Sequence, residues 1–133
     1  MWTRLVSVAS IGPSRSAEEW LRRARRNVRA SIAMPEDGFP DMAAFHAQQA
    51  AEFALKALQI HLSNRFTRTH DLTDLANRVR APQRIVRLGA SLTPAYVAAR
   101  YPDVRGARIT RRRAEAYIDA ARRIVSWARR QIP

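Results

Sequence analysis

A small set of polar side chains lies within a stretch of alanine and large apolar residues, and their spacing limits the chemistry available to them. Glu52 and Lys56 are four residues apart, so on a helix they can form an ion pair. Gln49 lies one turn before Glu52 on the same face. The stretch 45–62 is apolar on nearly every side, which predicts that other helices or a second subunit cover it. Polar groups on such a helix need hydrogen-bonding partners.

This polar group has two interpretations. In the first, its side chains form a structural hydrogen-bond network that fixes the register of the helix. In the second, they line a polar cleft for a nucleotide or phosphate, together with Arg100, Tyr101 and Asp103 further along the chain. In either case, the Arg100–Tyr101 segment or a second chain is the expected source of partners.

The three histidines provide the groups that titrate near neutral pH. His70 stands beside Asp71 just before an expected helix, where a histidine commonly bonds a carbonyl or carboxylate and fixes the turn. A direct chemical role is the alternative. His46 and His61 point in different directions on the central helix, which predicts surface or interface positions. The chain has no cysteine and no clustered ligands, so we expect no metal and no cofactor.

The chain is strongly basic, with a formal net charge of +13. Lys56 is the only lysine among 24 basic residues. A field of this size attracts polyanions, so RNA or DNA is the first class of partner to consider. The densest basic cluster combines Arg105 and Arg108 with the run 111–113, and either a phosphate backbone or solvent would suit it. A GC-rich genome would also favour arginine over lysine, so composition leaves both interpretations open.

Helical periodicity predicts the elements that position these groups. Expected helices cover about 16–33, 41–64, 71–81, 85–100 and 110–128, with Gly89 bending or breaking the fourth. Asp41, Asp71 or Thr73, and Thr110 are the expected caps. No segment alternates convincingly enough to predict a strand. The pattern therefore predicts an all-α fold, an up-and-down bundle of four or five helices.

The length of the chain fits one domain, which we place at residues 16–133 after an irregular tail at residues 1–15. The apolar patch from Leu5 to Ile11 is too short to span a membrane and lacks a proper signal-peptide core. We therefore expect a cytoplasmic protein with no membrane association.

Three blocks of sequence, in this order, resemble the HEPN family of small helical prokaryotic proteins. The blocks are Gln48-Gln49-Ala50-Ala51-Glu52 with Lys56, Thr69-His70-Asp71-Leu72, and Ala99-Arg100-Tyr101-Pro102-Asp103. The resemblance runs from about Ala17 to Ala128. It implies a HEPN-like bundle that works as a homodimer with a composite cleft between the protomers.

The resemblance also implies a metal-independent endoribonuclease, an activity associated with an arginine followed after four to six residues by histidine. Arg65 and His70 match that spacing literally, but the family places its motif late, where Arg100 lies without a histidine at the required distance. A neutral imidazole can deprotonate a ribose 2′-hydroxyl while guanidinium stabilises the phosphate charge. The catalytic candidates are Arg65, His70 and Arg100. The candidate nucleotide- or RNA-binding residues are Gln49, Glu52, Lys56, Arg100, Tyr101, Asp103, Arg105 and Arg108.

Two functions follow from the resemblance. The first is an RNA-directed protein, the ribonuclease toxin of a toxin–antitoxin pair, whose partner is a minimal nucleotidyltransferase that attaches adenylate to Tyr101. The second is a non-catalytic dimeric module that binds a nucleotide or docks the nucleotidyltransferase, which the missing histidine after Arg100 favours.

Overall fold

The computed structural model describes residues 4–7, 13–101 and 108–133. Within these residues the chain forms six helices and two short strands. In chain order they are β1 (Arg4–Ser7), α1 (Pro13–Ala33), α2 (Pro40–Ser63), β2 (Arg65–Arg68), α3 (Leu72–Arg78), α4 (Gln83–Ser91), α5 (Thr93–Arg100) and α6 (Arg111–Gln131). The predicted helical bundle is confirmed, because α4 and α5 meet at Leu92 and together occupy the expected fourth region.

Helix α2 lies at the centre and packs against α1, α6 and α5. Its apolar buried side is built largely of alanine, which lets neighbouring helices approach closely. Fully buried alanines on α2 include Ala43, Ala47, Ala50 and Ala54. The larger Leu55 and Leu58 are also buried on this helix. The prediction that other elements cover α2 is therefore confirmed along most of its length.

Two caps predicted from sequence are present in the structure. The Asp71 carboxylate accepts hydrogen bonds from the backbone N–H groups of Thr73 and Asp74, and the Thr110 hydroxyl accepts one from the N–H of Arg113. Asp41 is not a cap, because α2 already begins at Pro40, whose fixed φ suits the first turn. Asp41 instead lies in that first turn, where the helix dipole favours a carboxylate.

Gly89 does not break α4, although the sequence suggests a bend or break there. The helix continues to Ser91, and Gly89 is buried against α3. A Cβ atom at this position would lie 3.2 Å from the Leu72 Cβ. The glycine therefore allows α3 and α4 to pack closely.

The structure differs from the sequence prediction at the start of the chain. Arg4–Ser7 forms a strand that pairs antiparallel with Arg65–Arg68, and α1 begins at Pro13 instead of near Ser16. Four-residue strands are too short for their alternation to stand out from a loop. The pairing depends on residues distant in sequence, so the local pattern did not reveal it.

The ribbon is fixed to the bundle by Gln59. Its side-chain Nε2 donates to the Thr67 hydroxyl at 2.7 Å, while its Oε1 accepts from the Thr67 backbone N–H at 2.8 Å. Both residues are buried. These two bonds hold β2 against α2, and β2 leads directly into the segment that carries His70.

Candidate functional site

The buried polar residues of α2 form one continuous stripe. Gln48, Glu52, Lys56 and Gln59 repeat at intervals of four, four and three residues, which places them on one side of the helix. Each is at most 7% exposed. The predicted ion pair within this polar stripe is present, with Lys56 Nζ 3.0 Å from Glu52 Oε2.

Glu52 is the centre of the polar stripe's hydrogen bonds. Its Oε1 accepts from Gln48 Nε2 at 3.2 Å and lies 2.8 Å from His70 Nδ1. Gln48 Nε2 also lies 3.4 Å from the His70 carbonyl oxygen. Sequence spacing predicts partners from the Arg100–Tyr101 segment, whereas among the described residues they come from His70. The tertiary fold brings β2 and its continuation over α2, which the spacing could not reveal.

The Glu52 contact determines which nitrogen of His70 is available. A carboxylate accepts hydrogen bonds and does not donate them, so Nδ1 carries the proton that it donates to Glu52. In the neutral ring, Nε2 then holds a free lone pair. The His70 side chain is 53% exposed. Glu52 therefore orients a histidine whose second nitrogen can accept a proton from a bound molecule.

His70 lies on the wall of an open pocket of about 580 Å³, a size that suits a small ligand or a nucleotide. The pocket is formed by α2, α5 and the segment from β2 into α3. Its lining residues are Gln48, Arg68, Thr69, His70, Asp71, Leu72, Leu92, Thr93, Tyr96 and Tyr101. The rings of His70 and Tyr96 are 5.3 Å apart at their centroids. A base, a cation and two phenol rings thus share one cavity.

Arg100 is held beside this pocket by aromatic rings. Its guanidinium carbon lies 3.9 Å from the centroid of Tyr96 and 5.1 Å from that of Phe45. The Nη1 atom is buried and has no hydrogen-bond partner among the described residues. Stacking fixes the guanidinium plane while this N–H group keeps its capacity to donate. The next residue, Tyr101, is 50% exposed and reaches the pocket wall.

Lys56 serves the fold on the far side of Glu52 from His70. Its Nζ lies 5.9 Å from the ring centroid of Trp20 and 5.6 Å from that of Phe66. The side chain is buried and does not line the pocket. Its part in the site is to pair with the carboxylate that holds His70.

The remaining predicted site residues lie apart from the pocket. Arg65 is exposed at the other end of β2 from Arg68, about 10 Å away along the strand. Gln49 is half-buried and contacts Gln48, which is the glutamine that lines the cavity. Arg108 is exposed and does not line the pocket. Asp103 and Arg105 lie outside the described residues.

Sequence reasoning missed Arg68, Tyr96 and Gln48 as pocket residues. Arg68 precedes His70 by two residues, so its place beside the Thr-His-Asp-Leu block was an available signal. Gln48 is four residues before Glu52, the spacing that brings side chains together on a helix. Tyr96 carried no local signal, because only the packing of α5 brings it to His70.

The other histidines are separate from the site. His46 Nδ1 lies 2.6 Å from the Asn27 side-chain oxygen, and burial lowers the pKa of His46 below its usual 6.5. Over residues 4–7, 13–101 and 108–133, no group of histidine and acidic side chains is placed to hold a metal ion. Within the same residues, no helix is both long and apolar enough to cross a membrane.

Comparison with known proteins places this arrangement in context. Residues 17–131 match the model of the HEPN domain. The crystal structure of TT1696 from Thermus thermophilus is 32% identical, with a TM-score of 0.79 over 86% of this chain and 97% of that one. The crystal structure of ST0689, an archaeal HEPN homologue, is 31% identical, with a TM-score of 0.76 over 88% of this chain and 98% of that one. No curated protein matches the chain.

Proposed function

The chain belongs to the HEPN family, and from this premise we propose that it is a metal-independent endoribonuclease that uses the pocket beside His70. HEPN domains are generally related to nucleotides and RNA. The observation that supports cleavage is the 2.8 Å contact between His70 Nδ1 and Glu52, because it leaves Nε2 ready to accept a proton. A cytoplasmic location, where RNA is abundant, belongs to the same proposal.

The proposed reaction is an internal transfer within RNA. His70 Nε2 takes the proton of a ribose 2′-hydroxyl, the 2′-oxygen bonds to the adjacent phosphorus, and the bond to the 5′-oxygen of the next nucleotide breaks. Arg68, on the pocket wall, and the stacked Arg100 stabilise the charge that develops on the phosphate. The leaving oxygen needs a proton, and the proposal assigns its donor to the second protomer of a dimer. The products are a 2′,3′-cyclic phosphate and a 5′-hydroxyl.

Cleavage of labelled RNA in the presence of a metal chelator tests this proposal. We expect cyclic phosphate ends, and we expect His70→Ala to slow cleavage by about 10²- to 10⁴-fold, the usual contribution of a general base. Arg68→Ala should also lose activity. No cleavage of any RNA by the folded wild-type protein, or full activity of His70→Ala, would refute it.

The matched control is Arg65→Ala, on the same strand as Arg68 but exposed and outside the pocket. It should cleave like the wild type. If Arg65→Ala and His70→Ala lose activity equally while Arg68→Ala does not, the literal sequence match is the functional pair and our assignment is wrong. Arg100→Ala, measured in parallel, reports on the stacked guanidinium.

We propose that the active form is a homodimer, as HEPN domains commonly dimerise. Large apolar side chains near the start of α2 support this: Phe39 is 54% exposed and Met42 is 45% exposed. They lie one turn apart on the end of α2 that also carries Phe45, the ring under Arg100. Light scattering after chromatography should give twice the chain mass, and Met42→Glu should reduce it to one.

We further propose that Tyr101 is modified by a minimal nucleotidyltransferase antitoxin. Tyr101 supports this role because its side chain is exposed and lies on the pocket wall, so an attached adenylate would obstruct the site. Incubation with the nucleotidyltransferase and labelled ATP should label the wild type and not Tyr101→Phe. Equal labelling of both proteins would remove Tyr101 from the proposal.

A second function is supported by Arg100. Its guanidinium is clamped between rings, and the described pocket contains a single histidine, which suits holding a nucleotide without cutting it. In that case calorimetry would show nucleotide binding that His70→Ala weakens, while RNA stays intact.

A further inference from the structure

A second basic region lies around the carboxyl half of α6, away from the His70 pocket. A groove of about 690 Å³ runs between α1 and the end of α6, and another of about 590 Å³ runs between α4 and α6. The two grooves share Arg130. Their arginines are Arg22, Arg25, Arg84, Arg122, Arg123, Arg129 and Arg130, and we call this surface the arginine belt.

Most of the arginine belt is not neutralised within the described parts of the chain. Only Arg22 and Arg123 form salt bridges there, with Glu19 and Asp119 respectively. The dipole at the carboxyl end of α6 stabilises Arg129 and Arg130. It does not account for Arg25, Arg84 or Arg122, which lie on other helices or earlier in α6. The belt therefore concentrates positive charge along two concave surfaces.

The shape and composition of the arginine belt favour a nucleic-acid strand over a membrane. A helix that binds a lipid surface exposes large apolar side chains beside its cations. The exposed positions of α6 in this half carry Ser126, Gln131 and arginine, while Trp127 is buried. Grooves of a few hundred cubic ångströms accept an extended strand and exclude a duplex. From Arg122 to Arg130 the helix rises about 12 Å, which matches about three to four phosphates of one strand.

We propose that the arginine belt binds the phosphodiester backbone of single-stranded nucleic acid without reading its sequence. The belt shares no residue with the His70 pocket. It would hold a strand at a distance from the pocket and so raise the local concentration of RNA near His70. Binding by the belt does not require that the pocket cleave anything.

Fluorescence anisotropy of labelled oligouridylate with the full chain tests the proposal. With about four phosphates neutralised, affinity should fall about 50-fold between about 50 mM and about 200 mM salt. The double variant Arg25→Gln/Arg129→Gln should bind about tenfold more weakly at low salt and with a shallower salt dependence. Oligothymidylate should behave similarly, because the proposed contacts are to phosphates; strong preference for one of the two would overturn backbone recognition.

The matched control is Arg112→Gln/Arg113→Gln, which removes the same charge from exposed residues at the opposite end of α6. It should lose much less affinity. Equal losses in the two double variants would show attraction by net charge alone and overturn a localised belt. Binding to phosphatidylserine vesicles that Arg25→Gln/Arg129→Gln abolishes, without any loss of oligouridylate affinity, would also overturn it.

His70→Ala separates this proposal from the proposed nuclease activity. Its oligouridylate affinity should equal that of the wild type, since His70 is outside the belt. A dinucleotide substrate, too short to reach the belt, should be handled equally by the wild type and Arg25→Gln/Arg129→Gln. A protein that binds oligouridylate through the belt and cleaves nothing would refute the nuclease and leave the belt standing.

Discussion

The two buried sides of α2 are stabilised by different interactions. On one side, alanines such as Ala47 and Ala54 and the larger Leu58 are wholly or almost wholly buried, and close packing needs no particular partner. On the other side, every member of the polar stripe is matched to a specific atom, including the contacts from Glu52 to Lys56 and to His70. The apolar side makes a rigid core, and the polar stripe uses that rigidity to aim an imidazole into the pocket.

This comparison suggests that the polar stripe is retained for position more than for stability. Two buried charges lose their hydration, and their mutual attraction offsets that loss only in part. An apolar pair of similar volume would suit the core equally well. The stripe's distinctive product is the fixed Nδ1 contact of His70 with Glu52.

The largest expected effect comes from removing half of the buried ion pair. Glu52→Leu leaves the Lys56 ammonium buried without a carboxylate, and we expect the free energy of unfolding to fall by about 3–5 kcal/mol. Urea denaturation followed by circular dichroism measures this. The double variant Glu52→Leu/Lys56→Met should recover most of the loss while the His70 chemistry remains impaired. A single variant as stable as the wild type would contradict the view that the pair is tightly coupled.

A slightly smaller effect is expected on the apolar side. Leu58→Ala opens a cavity in the core and should lower the free energy of unfolding by about 2–4 kcal/mol. The pocket should keep its activity, because no partner of His70 changes. Leu62→Ala, on the same helix but 61% exposed, is the control and should leave the urea midpoint nearly unchanged. If Leu58→Ala impaired the pocket as strongly as Glu52→Leu/Lys56→Met, the two sides would not have separate roles.

Gln59→Leu tests the end of the polar stripe that holds β2. It leaves the buried Thr67 N–H and hydroxyl without their partner, so we expect a loss of about 1–3 kcal/mol. Hydrogen exchange should accelerate most at β2. Gln49→Leu, a half-buried glutamine on the same helix, should leave β2 exchange unchanged. Uniform acceleration over the whole bundle would show that Gln59 supports global stability instead of this ribbon.

The smallest effect is expected from the third, partly exposed side of α2, at His46. Burial lowers the pKa of His46 in the folded protein below 6.5, so the unfolded chain binds protons more readily. Stability should therefore fall as pH drops through 6.5 toward the folded pKa, and it should be unaffected by this group at higher pH. His46→Gln should reduce that slope in urea titrations. A wild-type slope equal to that of His46→Gln would contradict the assigned direction.

The parts of the molecule that sequence predicted correctly depend on neighbours along the chain. Asp71 and Thr110 cap helices through backbone groups two or three residues away, and Glu52 pairs with Lys56 one turn later. Such contacts follow from helical geometry alone. The helices themselves were predictable for the same reason, apart from shifts of a few residues at their ends.

The parts that sequence did not predict depend on tertiary packing. His70 bonds Glu52 instead of the adjacent Asp71, because Asp71 is engaged at the start of α3 and β2 carries His70 over α2. Arg68 and Arg65 differ little in local sequence, yet only Arg68 lines the pocket. Choosing between them required the pairing and direction of a strand that carried no clear pattern.

The ribbon has a practical consequence for handling the protein. Arg4–Ser7 covers the edge of β2, and a single residue, Thr69, connects β2 to His70. Proteolytic clipping after Ser7 would bare backbone amides that another molecule could recruit, and it would loosen the tether of the imidazole. An affinity tag is therefore better appended after Pro133 than ahead of Arg4, where it would disturb the chemistry being assayed.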